Sequence, residues 1–325
     1  MNHGAASKAK SPAMRSTEGH PMNWNVRIGI NPIGWMNDDL PALGGETALE
    51  TALAEGRAIG YDGFELGNKF PRSGPALKAK LAEFDLACVS GWYSGFLATG
   101  SVEDELERCA EHLQRLRYND ASVVVYGECA DTIQGQIESP LAHRPQFTDP
   151  GQWQAYGARL NAFGAALQQT WGIRLAYHHH MGAYVESPQD IDQLMAVTDP
   201  RHVGLLFDTG HAWFGGGDPL ELLRRHVGRV AHVHCKDVRA AVVAQARNEG
   251  WSFLTSVLYG AFTVPGDGAI DFAAVLRTLH GAGYQGWLVV EAEQDPAVAP
   301  SYAYAQKGHA TLRAIVAGID GAAGH

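Results

Sequence analysis

Cysteine is scarce in this 325-residue chain, and none of its hydrophobic runs is long. The four cysteines lie far apart and form no CxxC pair: Cys88, Cys109, Cys129 and Cys235. Such spacing is typical of reduced thiols, so we expect no disulfide and a cytoplasmic location. The longest apolar runs, such as Ser122–Tyr126 and Trp287–Val290, have the length of strands. They fall well short of the roughly 18 residues of a membrane helix, so no membrane span is predicted.

Basic residues are also in short supply, since 25 Lys and Arg face 35 Asp and Glu, a net charge of −10. A nucleic-acid partner is therefore not expected, because such surfaces need a basic face. No GxGxxG motif follows the first predicted strand, and no nucleotide cofactor is predicted. Residues 1–22 are polar and lack the apolar segment of a secretory signal, which predicts a disordered N-terminal leader. We expect the folded domain over residues 23–318 and a flexible tail over 319–325.

Apolar segments, by contrast, are regularly spaced from Trp24 onward. Eight of them predict strands: Arg27–Ile30, Gly63–Leu66, Ala87–Ser90, Ser122–Tyr126, Arg174–Tyr177, Val203–Phe207, Val230–Val233 and Trp287–Val290. The intervening segments favour helices, for example Glu46–Ile59, Val102–Leu116, Gln152–Thr170, Pro188–Val197 and Pro219–His226. The alternation predicts an α/β fold, a single-domain (β/α)8 TIM barrel with extended βα loops. An open doubly wound sheet is the alternative.

Two connections are longer than a barrel needs, after the fourth and the seventh predicted strands. Thr132–Pro150 is predicted to form an ordered cover over the mouth and is a candidate oligomer contact. Arg239–Gly250 predicts an additional helix, which is followed by Trp251–Leu258. Phe262–Gly268 is rich in Gly and Pro and reads either as a lid with Asp267 at its tip or as a plain connection.

Polar residues concentrate where the predicted strands end, which is where barrel active sites are built. Six of the fifteen histidines follow three consecutive strands: His178, His179, His180, His211, His232 and His234. Residues two apart share a face of a strand, so His178 pairs with His180, and Glu291 with Glu293. Imidazole and carboxylate ligands without thiolate suit Mn²⁺, Co²⁺ or Zn²⁺.

We predict a metal centre with four ligands, His178, Asp208, His234 and Glu291. The alternative is that these residues cap strands by hydrogen bonding to loops. This alternative is less probable for all four residues than for any one of them, because burying four ionisable groups together without a cation costs free energy.

Several segments resemble the myo-inosose-2 dehydratases of the xylose-isomerase-like superfamily. They are GINPIGWMNDD, GFELGNKFPR, YHHHMG, LLFDTGH, HVHCKDVR, FTVPGDG and GWLVVEAEQDP, between about Trp24 and Lys307. The resemblance implies a (β/α)8 barrel and dependence on Mn²⁺ or Co²⁺. It also implies the removal of water from 2-keto-myo-inositol, a cyclic polyol ketone, to give a trihydroxycyclohexane dione in inositol catabolism.

The resemblance also bears on the ligands. Most superfamily members use Glu, Asp, His and Glu from strands five to eight, and three of these carry over onto Asp208, His234 and Glu291. At strand five this chain has His178, so the fourth ligand stays open between His178, His180 and Glu128.

The implied dehydration needs a base for the proton next to the ketone and an acid for the departing hydroxyl. The candidate bases are Glu65, Glu128 and His180, and the candidate donors are Lys69, Lys236 and His211. The sequence does not rank them. An ion pair between Lys236 and Asp237 is the structural alternative for that lysine.

Substrate contacts are predicted from the loops after the first and third strands. Trp35 and Trp92 are candidates to pack against the polyol ring, and Asn31, Asn37 and Asp38 to bind its hydroxyls, together with Asp267. Loop packing and turn formation are the alternatives for the aromatic and the polar residues, respectively.

Other functions are compatible with such a barrel. A ketose isomerase or epimerase uses a similar metal and moves a proton without loss of water. A type-IV-like endonuclease is disfavoured by the acidic charge balance, and a non-catalytic sugar-binding barrel leaves the histidine and carboxylate cluster unexplained. A homo-oligomer is compatible with the sequence.

Overall fold

The computed structural model describes Met1 and residues 24–322. The predicted leader, apart from Met1, lies outside the described residues, as do residues 323–325 of the predicted tail.

Eight parallel strands close into a barrel in which β10 pairs with both β1 and β7. Their bounds are β1 Val26–Ile30, β2 Gly63–Leu66, β3 Ala87–Gly95, β4 Val123–Glu128, β5 Arg174–His178, β6 Val203–Asp208, β7 Val230–Cys235 and β10 Gly286–Val290. A short antiparallel pair, β8 Asp237–Val238 and β9 Phe262–Thr263, lies outside the barrel. The predicted single-domain (β/α)8 barrel is confirmed, and every predicted strand is present.

Eleven α-helices occur in the described part of the chain. They are α1 Leu49–Ile59, α2 Gly74–Ala82, α3 Val102–Tyr118, α4 Pro150–Trp171, α5 Pro188–Val197, α6 Thr209–Phe214, α7 Pro219–His226, α8 Ala240–Glu249, α9 Phe253–Leu258, α10 Phe272–Gly281 and α11 Ser301–Ala322. Helices α5 and α7 match the predicted bounds because Ser187 and Asp218 cap them immediately before a proline at the first helical position.

Alternate strand residues face the barrel interior, and the others pack against the helices. The helix-facing residues form one large apolar core. Inside the barrel, two small apolar clusters form, one around Val125 and Leu206 and the other around Val289 and Trp287. Above them the interior becomes polar, so the carboxyl ends of the strands hold ionisable groups.

Strand β3 extends five residues beyond its predicted end at Ser90. After a register shift between Phe64 and Leu66 of β2, β3 continues alongside β4, where Trp92 pairs with Val125 and Gly95 with Glu128. The extension places Trp92 on a strand rather than in a loop.

The predicted excursions are ordered. The segment 132–150 contains one short 3-10 turn, Leu141–His143, and reaches across to other loops. Its Ile133 N–H donates to the Gly182 carbonyl at 3.0 Å, and Arg144 Nη2 donates to Asp190 Oδ2 at 2.8 Å. Helices α8 and α9 form the predicted addition before β9.

The C-terminal helix contacts Trp24, which precedes the first strand. Helix α11 continues to Ala322, so residues 319–322, predicted to belong to a flexible tail, are helical. Asp320 Oδ1 accepts a hydrogen bond from the Trp24 backbone at 2.7 Å. No helix within the described residues combines the length and hydrophobicity that a membrane crossing requires.

Candidate active site

The four predicted metal ligands converge at the carboxyl end of the barrel. His178, Asp208, His234 and Glu291 each offer one ligand atom, and all four atoms lie within 4.8 Å of one another. They end or follow the neighbouring strands β5, β6, β7 and β10, and Asp208 is in register with His234. All four residues are buried.

In His178 and His234, one ring nitrogen donates a hydrogen bond to a neighbouring oxygen, and the other ring nitrogen faces the cluster. His178 Nδ1 donates to the His179 carbonyl at 2.6 Å, which leaves Nε2 free and 3.7 Å from Asp208 Oδ2. His234 Nε2 donates to Glu65 at 3.1 Å, which leaves Nδ1 free, 3.6 Å from Asp208 Oδ2. Both free nitrogens therefore point toward the same carboxylate.

The cluster has the properties of a cation site. Asp208 Oδ2, His234 Nδ1 and Glu291 Oε2 are buried and form no hydrogen bond. His234 Nδ1 and Glu291 Oε2 approach to 2.6 Å without the angles of a hydrogen bond. Buried polar atoms in this number are normally satisfied, and nitrogen and oxygen ligands without sulfur fit a divalent ion such as Mn²⁺, Co²⁺ or Zn²⁺.

Glu65, a predicted base, lies beneath the ligands and does not line the cavity. Its carboxylate accepts hydrogen bonds from Asn31 Nδ2 at 2.9 Å, Ser90 Oγ at 2.6 Å and His232 Nε2 at 2.8 Å, besides His234. Burial by itself would raise the pKa of Glu65, but the two imidazoles bring it well below its usual range. Glu65 is therefore an ionised group that orients His234.

Lys236, a predicted proton donor, is fully buried among three carboxylates. Its Nζ lies 2.6 Å from Glu293 Oε1, 3.1 Å from Glu291 Oε2 and 3.5 Å from Asp208 Oδ2. Burial favours the neutral amine, yet these carboxylates outweigh it and raise the lysine pKa above its ordinary value. A Cβ on Gly210 would lie 2.6 Å from Lys236 Cγ, so the glycine makes room for this side chain.

Asp237 does not form the alternative ion pair with Lys236. Its carboxylate instead accepts hydrogen bonds from the backbone N–H groups of Gly266, Gly268 and Ile270 at 2.9 to 3.1 Å. Asp237 thus fixes the segment 262–268, for which a lid and a plain connection were the two alternatives.

The backbone of Met181 sets the tautomers of two adjacent histidines, His180 and His211, whose rings are tilted by 40° with centroids 4.2 Å apart. His180 Nδ1 donates to the Met181 carbonyl at 2.9 Å, whereas His211 Nδ1 accepts from the Met181 N–H at 3.4 Å. His180 therefore presents an Nε2 lone pair and His211 an Nε2–H. The His211 nitrogen lies 3.8 Å from Glu293 Oε1 and forms no hydrogen bond.

A cavity of about 280 Å³ opens beside the cluster, close to the lower limit of about 300 Å³ for small-molecule sites. Six predicted residues line it: Asn31, Asp38, Trp92, His178, His180 and Glu291. Asp208, His234, Lys236 and His211 do not line it and lie buried behind its wall.

Trp92 forms part of the cavity wall, with its ring 5.5 Å from that of His178 and 5.9 Å from that of His180. A Cβ on Gly127 would lie 2.0 Å from Trp92 Cη2, so a glycine in β4 is needed for the indole to lie there. Trp35 lies elsewhere, where its Nε1 donates to Glu55 at 2.6 Å and its ring packs on Phe64.

Glu128, a candidate base and ligand, has no free carboxylate oxygen. It accepts hydrogen bonds from the Tyr126 and Tyr156 hydroxyls and from the backbone of Ala98 and Ala130 at 2.8 to 3.0 Å. It lies away from the cavity and holds the loops after β3 and β4 in place.

Three further predicted residues are structural. Lys69 Nζ donates to the Gly45 and Thr47 carbonyls at 2.6 Å. Asn37 Oδ1 accepts from the Asp39 and Leu40 N–H groups at 2.9 Å, the turn that was the alternative for it. Asp267 accepts from Arg239, Thr263 and Lys307 and does not reach the cavity.

Other cavity residues did not appear among the predicted contacts: Asp39, Asn68, Arg72, Ser94, Arg115, Gln134 and Glu293. Asp39 belongs to the NDD segment, and Asn68 and Arg72 to GNKFPR, so motif position was a signal for them. Asp39 lines the cavity, where desolvation by the surrounding protein raises its pKa to about 6. Arg115 lies within helix α3, where no local pattern marks it.

The barrel and its ligand cluster define the class of the protein. A sequence model of the xylose isomerase-like TIM barrel family matches residues 53–315. The IolI protein, solved with a binding zinc atom, shares the fold with a TM-score of 0.64 at 16% identity, covering 89% of this chain and 98% of IolI.

Closer relatives are found by sequence. The rhizopine catabolism protein MocC of Rhizobium meliloti is 48% identical over 90% of this chain and 89% of MocC. The inosose dehydratase of Geobacillus thermodenitrificans is 45% identical over 89% of this chain and 96% of that protein. The chain therefore belongs to the inosose dehydratase family of xylose isomerase-like TIM barrels.

Proposed function

We propose that the protein is a metal-dependent hydro-lyase that removes water from 2-keto-myo-inositol to give a trihydroxycyclohexane-1,2-dione in inositol catabolism. The observation that carries this conclusion is the convergence of ligand atoms from His178, Asp208, His234 and Glu291 beside the cavity. Three of these atoms, from Asp208, His234 and Glu291, are buried without a hydrogen-bond partner. The 45% identity to an inosose dehydratase supports this ketone as the substrate.

The cation is proposed to be Mn²⁺ or Co²⁺, held by His178, Asp208, His234 and Glu291. When bound, it supplies Lewis acidity, which stabilises negative charge that develops on the ketone oxygen. We prefer His178 to Glu128 as the fourth ligand because both carboxylate oxygens of Glu128 already accept hydrogen bonds. We prefer it to His180 because the free nitrogen of His180 lies in a different cluster, with His211 and Glu293.

Two cavity residues are proposed to move protons. His180 Nε2 accepts the proton from the carbon next to the ketone, because this nitrogen is free and the residue lines the cavity. Glu293 then passes a proton to the departing hydroxyl, which leaves as water. Lys236, at 2.6 Å from Glu293, does not line the cavity and therefore acts through this carboxylate.

The direct test is turnover of 2-keto-myo-inositol by the purified protein, followed by the ultraviolet absorbance of the dione. Removal of metal with a chelator should abolish turnover, and Mn²⁺ or Co²⁺ should restore it. Isomerisation of the ketone without a change in absorbance would instead support the ketose isomerase hypothesis. Ligand binding that persists after chelation, with no turnover at all, would support a binding role.

The proton roles can be separated with two variants in D₂O. His180→Gln should lose both dehydration and exchange of the substrate α-proton for deuterium, each by about 100-fold or more. Glu293→Gln should lose dehydration but keep exchange, since it acts after the α-proton is removed. Proton NMR of the recovered ketone measures the exchange, and normal exchange by His180→Gln would rule out His180 as the base.

A cytoplasmic location and a homo-oligomeric state stay predictions.

A further inference from the structure

Two arginines line the cavity on the side next to helices α2 and α3. Arg72 lies just before α2, and Arg115 lies in the last turn of α3. Within residues 24–322, no carboxylate lies within 4.0 Å of either guanidinium. Arg72 Nη2 donates to the Asn68 carbonyl at 3.2 Å, and the neighbouring Asp38 accepts from the Asn68 N–H instead.

The positive charge of Arg115 is buried and has only a neutral partner. Arg115 is 7% exposed, and its Nε is buried without a hydrogen-bond partner. Its Nη2 meets His112 Nδ1 at 2.8 Å, while His112 Nε2 donates to the Gly91 carbonyl at 3.3 Å. His112 is therefore an uncharged acceptor in this contact.

An arginine does not lose its proton in a protein, so this charge must be compensated by other means. A buried cation without a counter-ion is costly, and a second cation, Arg72, lies close enough to add repulsion. Guanidinium groups bind carboxylates and phosphates through paired hydrogen bonds. Carboxylates also line this cavity, but none of them pairs with either guanidinium, so both arginines are free to receive an anion there.

We propose that Arg72 and Arg115 form an oxyanion subsite of this cavity. The subsite takes a phosphate- or carboxylate-type group, either as a free ion or as part of a larger ligand. The ketone of the proposed dehydration is neutral, so the subsite is an addition to that function and does not depend on it.

Isothermal titration of the purified full-length protein with inorganic phosphate, at constant ionic strength set with chloride, tests the subsite. The wild type should bind one phosphate with saturable heat. Arg72→Gln and Arg115→Gln should each bind it about tenfold more weakly or worse, because each loses a charge-assisted hydrogen bond. The matched control is Arg224→Gln, which removes the same charge from an exposed site on α7 and should bind like the wild type.

Equal weakening in all three variants, or no saturable heat in the wild type, would overturn the subsite. Arg72 is exposed, so its variant keeps the test valid should Arg115→Gln fail to fold. A kinetic measurement distinguishes a free anion from an anionic group carried by a larger ligand. Phosphate that raises the KM for 2-keto-myo-inositol indicates that the bound anion overlaps the substrate position, where a larger ligand could carry it. Phosphate that leaves KM unchanged indicates a separate ion. The heat measurement needs no turnover, so its failure is distinct from failure of the dehydratase assay.

Discussion

At the scale of single residues, the orientation of one proposed metal ligand, His234, depends on a carboxylate that does not line the cavity. Glu65 holds His234 Nε2 and His232 Nε2, and Asn31 and Ser90 hold Glu65 in turn. Because the Nε2 proton is retained by Glu65, the Nδ1 lone pair of His234 faces Asp208 and Glu291. Partners of this kind fix the tautomer of a ligand and increase its basicity.

Glu65→Gln should weaken binding of Mn²⁺ or Co²⁺ by about 10- to 100-fold, because the charge behind His234 is lost while the shape is kept. Competition with a fluorescent chelator measures the affinity. The matched control is Glu55→Gln, at a carboxylate that accepts from Trp35 outside the cavity, and its affinity should not change. Equal affinity in Glu65→Gln and the wild type would show that His234 needs no such partner.

At the scale of elements, the connection from β7 to β10 is held by one buried side chain. Asp237 is the first residue of β8, and its carboxylate accepts hydrogen bonds from the N–H groups of Gly266, Gly268 and Ile270. A Cβ at Gly268 would lie 2.4 Å from Asp237 Oδ1, so the loop wraps tightly around the carboxylate. Asp267 Oδ2 also accepts a hydrogen bond from Arg239 Nη2 at 3.0 Å. The segment is therefore a closed structural loop.

Asp237→Asn should loosen this loop, because an amide places N–H donors against backbone N–H groups. We expect faster hydrogen exchange at Gly266 and Gly268 and a loss of about 1–3 kcal/mol of unfolding free energy. Mass spectrometry of the peptide over residues 264–270 measures the exchange. Asp218→Asn, which alters the cap of α7, should leave that peptide unchanged. Unaltered exchange in Asp237→Asn would mean that the loop is held by other contacts.

At the scale of the whole molecule, buried histidines and buried carboxyl groups change the free energy of unfolding with pH in opposite directions. Burial lowers the pKa of His112 and of His179 to about 4. As the pH falls, these histidines are protonated in the unfolded chain at a higher pH than in the folded protein. The free energy of unfolding therefore falls as the pH drops from about 6.5 toward 4. Burial raises the pKa of Glu128 and of Glu186 to about 7, so these groups lower stability as the pH rises from about 4.5 to 7.

His112→Gln isolates one of these contributions. Between pH 7.5 and 5 the wild type should lose about 2 kcal/mol more unfolding free energy than the variant, because unfolded His112 gains a proton that the folded form excludes. Urea unfolding at both pH values measures the difference. His143→Gln removes an exposed histidine and should follow the wild type. The same pH response in His112→Gln and the wild type would show that folded His112 can be protonated.

The sequence by itself determined the barrel and predicted where the four proposed ligands lie, although it left the fourth open between His178, His180 and Glu128. Strand-length apolar runs separated by capped helical segments permit few architectures, and parallel strands bring their carboxyl ends together. The positions of His178, Asp208, His234 and Glu291 followed from that rule, since each ends or follows a strand. Side-chain parity along a strand is local information, so it can be read without the fold.

Only the tertiary structure decided which polar residues reach the cavity. Glu65, Glu128 and Lys69 are residue types that can transfer protons, but their roles depend on partners from other segments: His234, Tyr156 and Gly45. Arg115 lies within a helix, and its exposure to the cavity depends on how α3 packs beside α2 and β3. Hydrogen bonds and burial between segments far apart in the chain are set by packing, which no local pattern encodes.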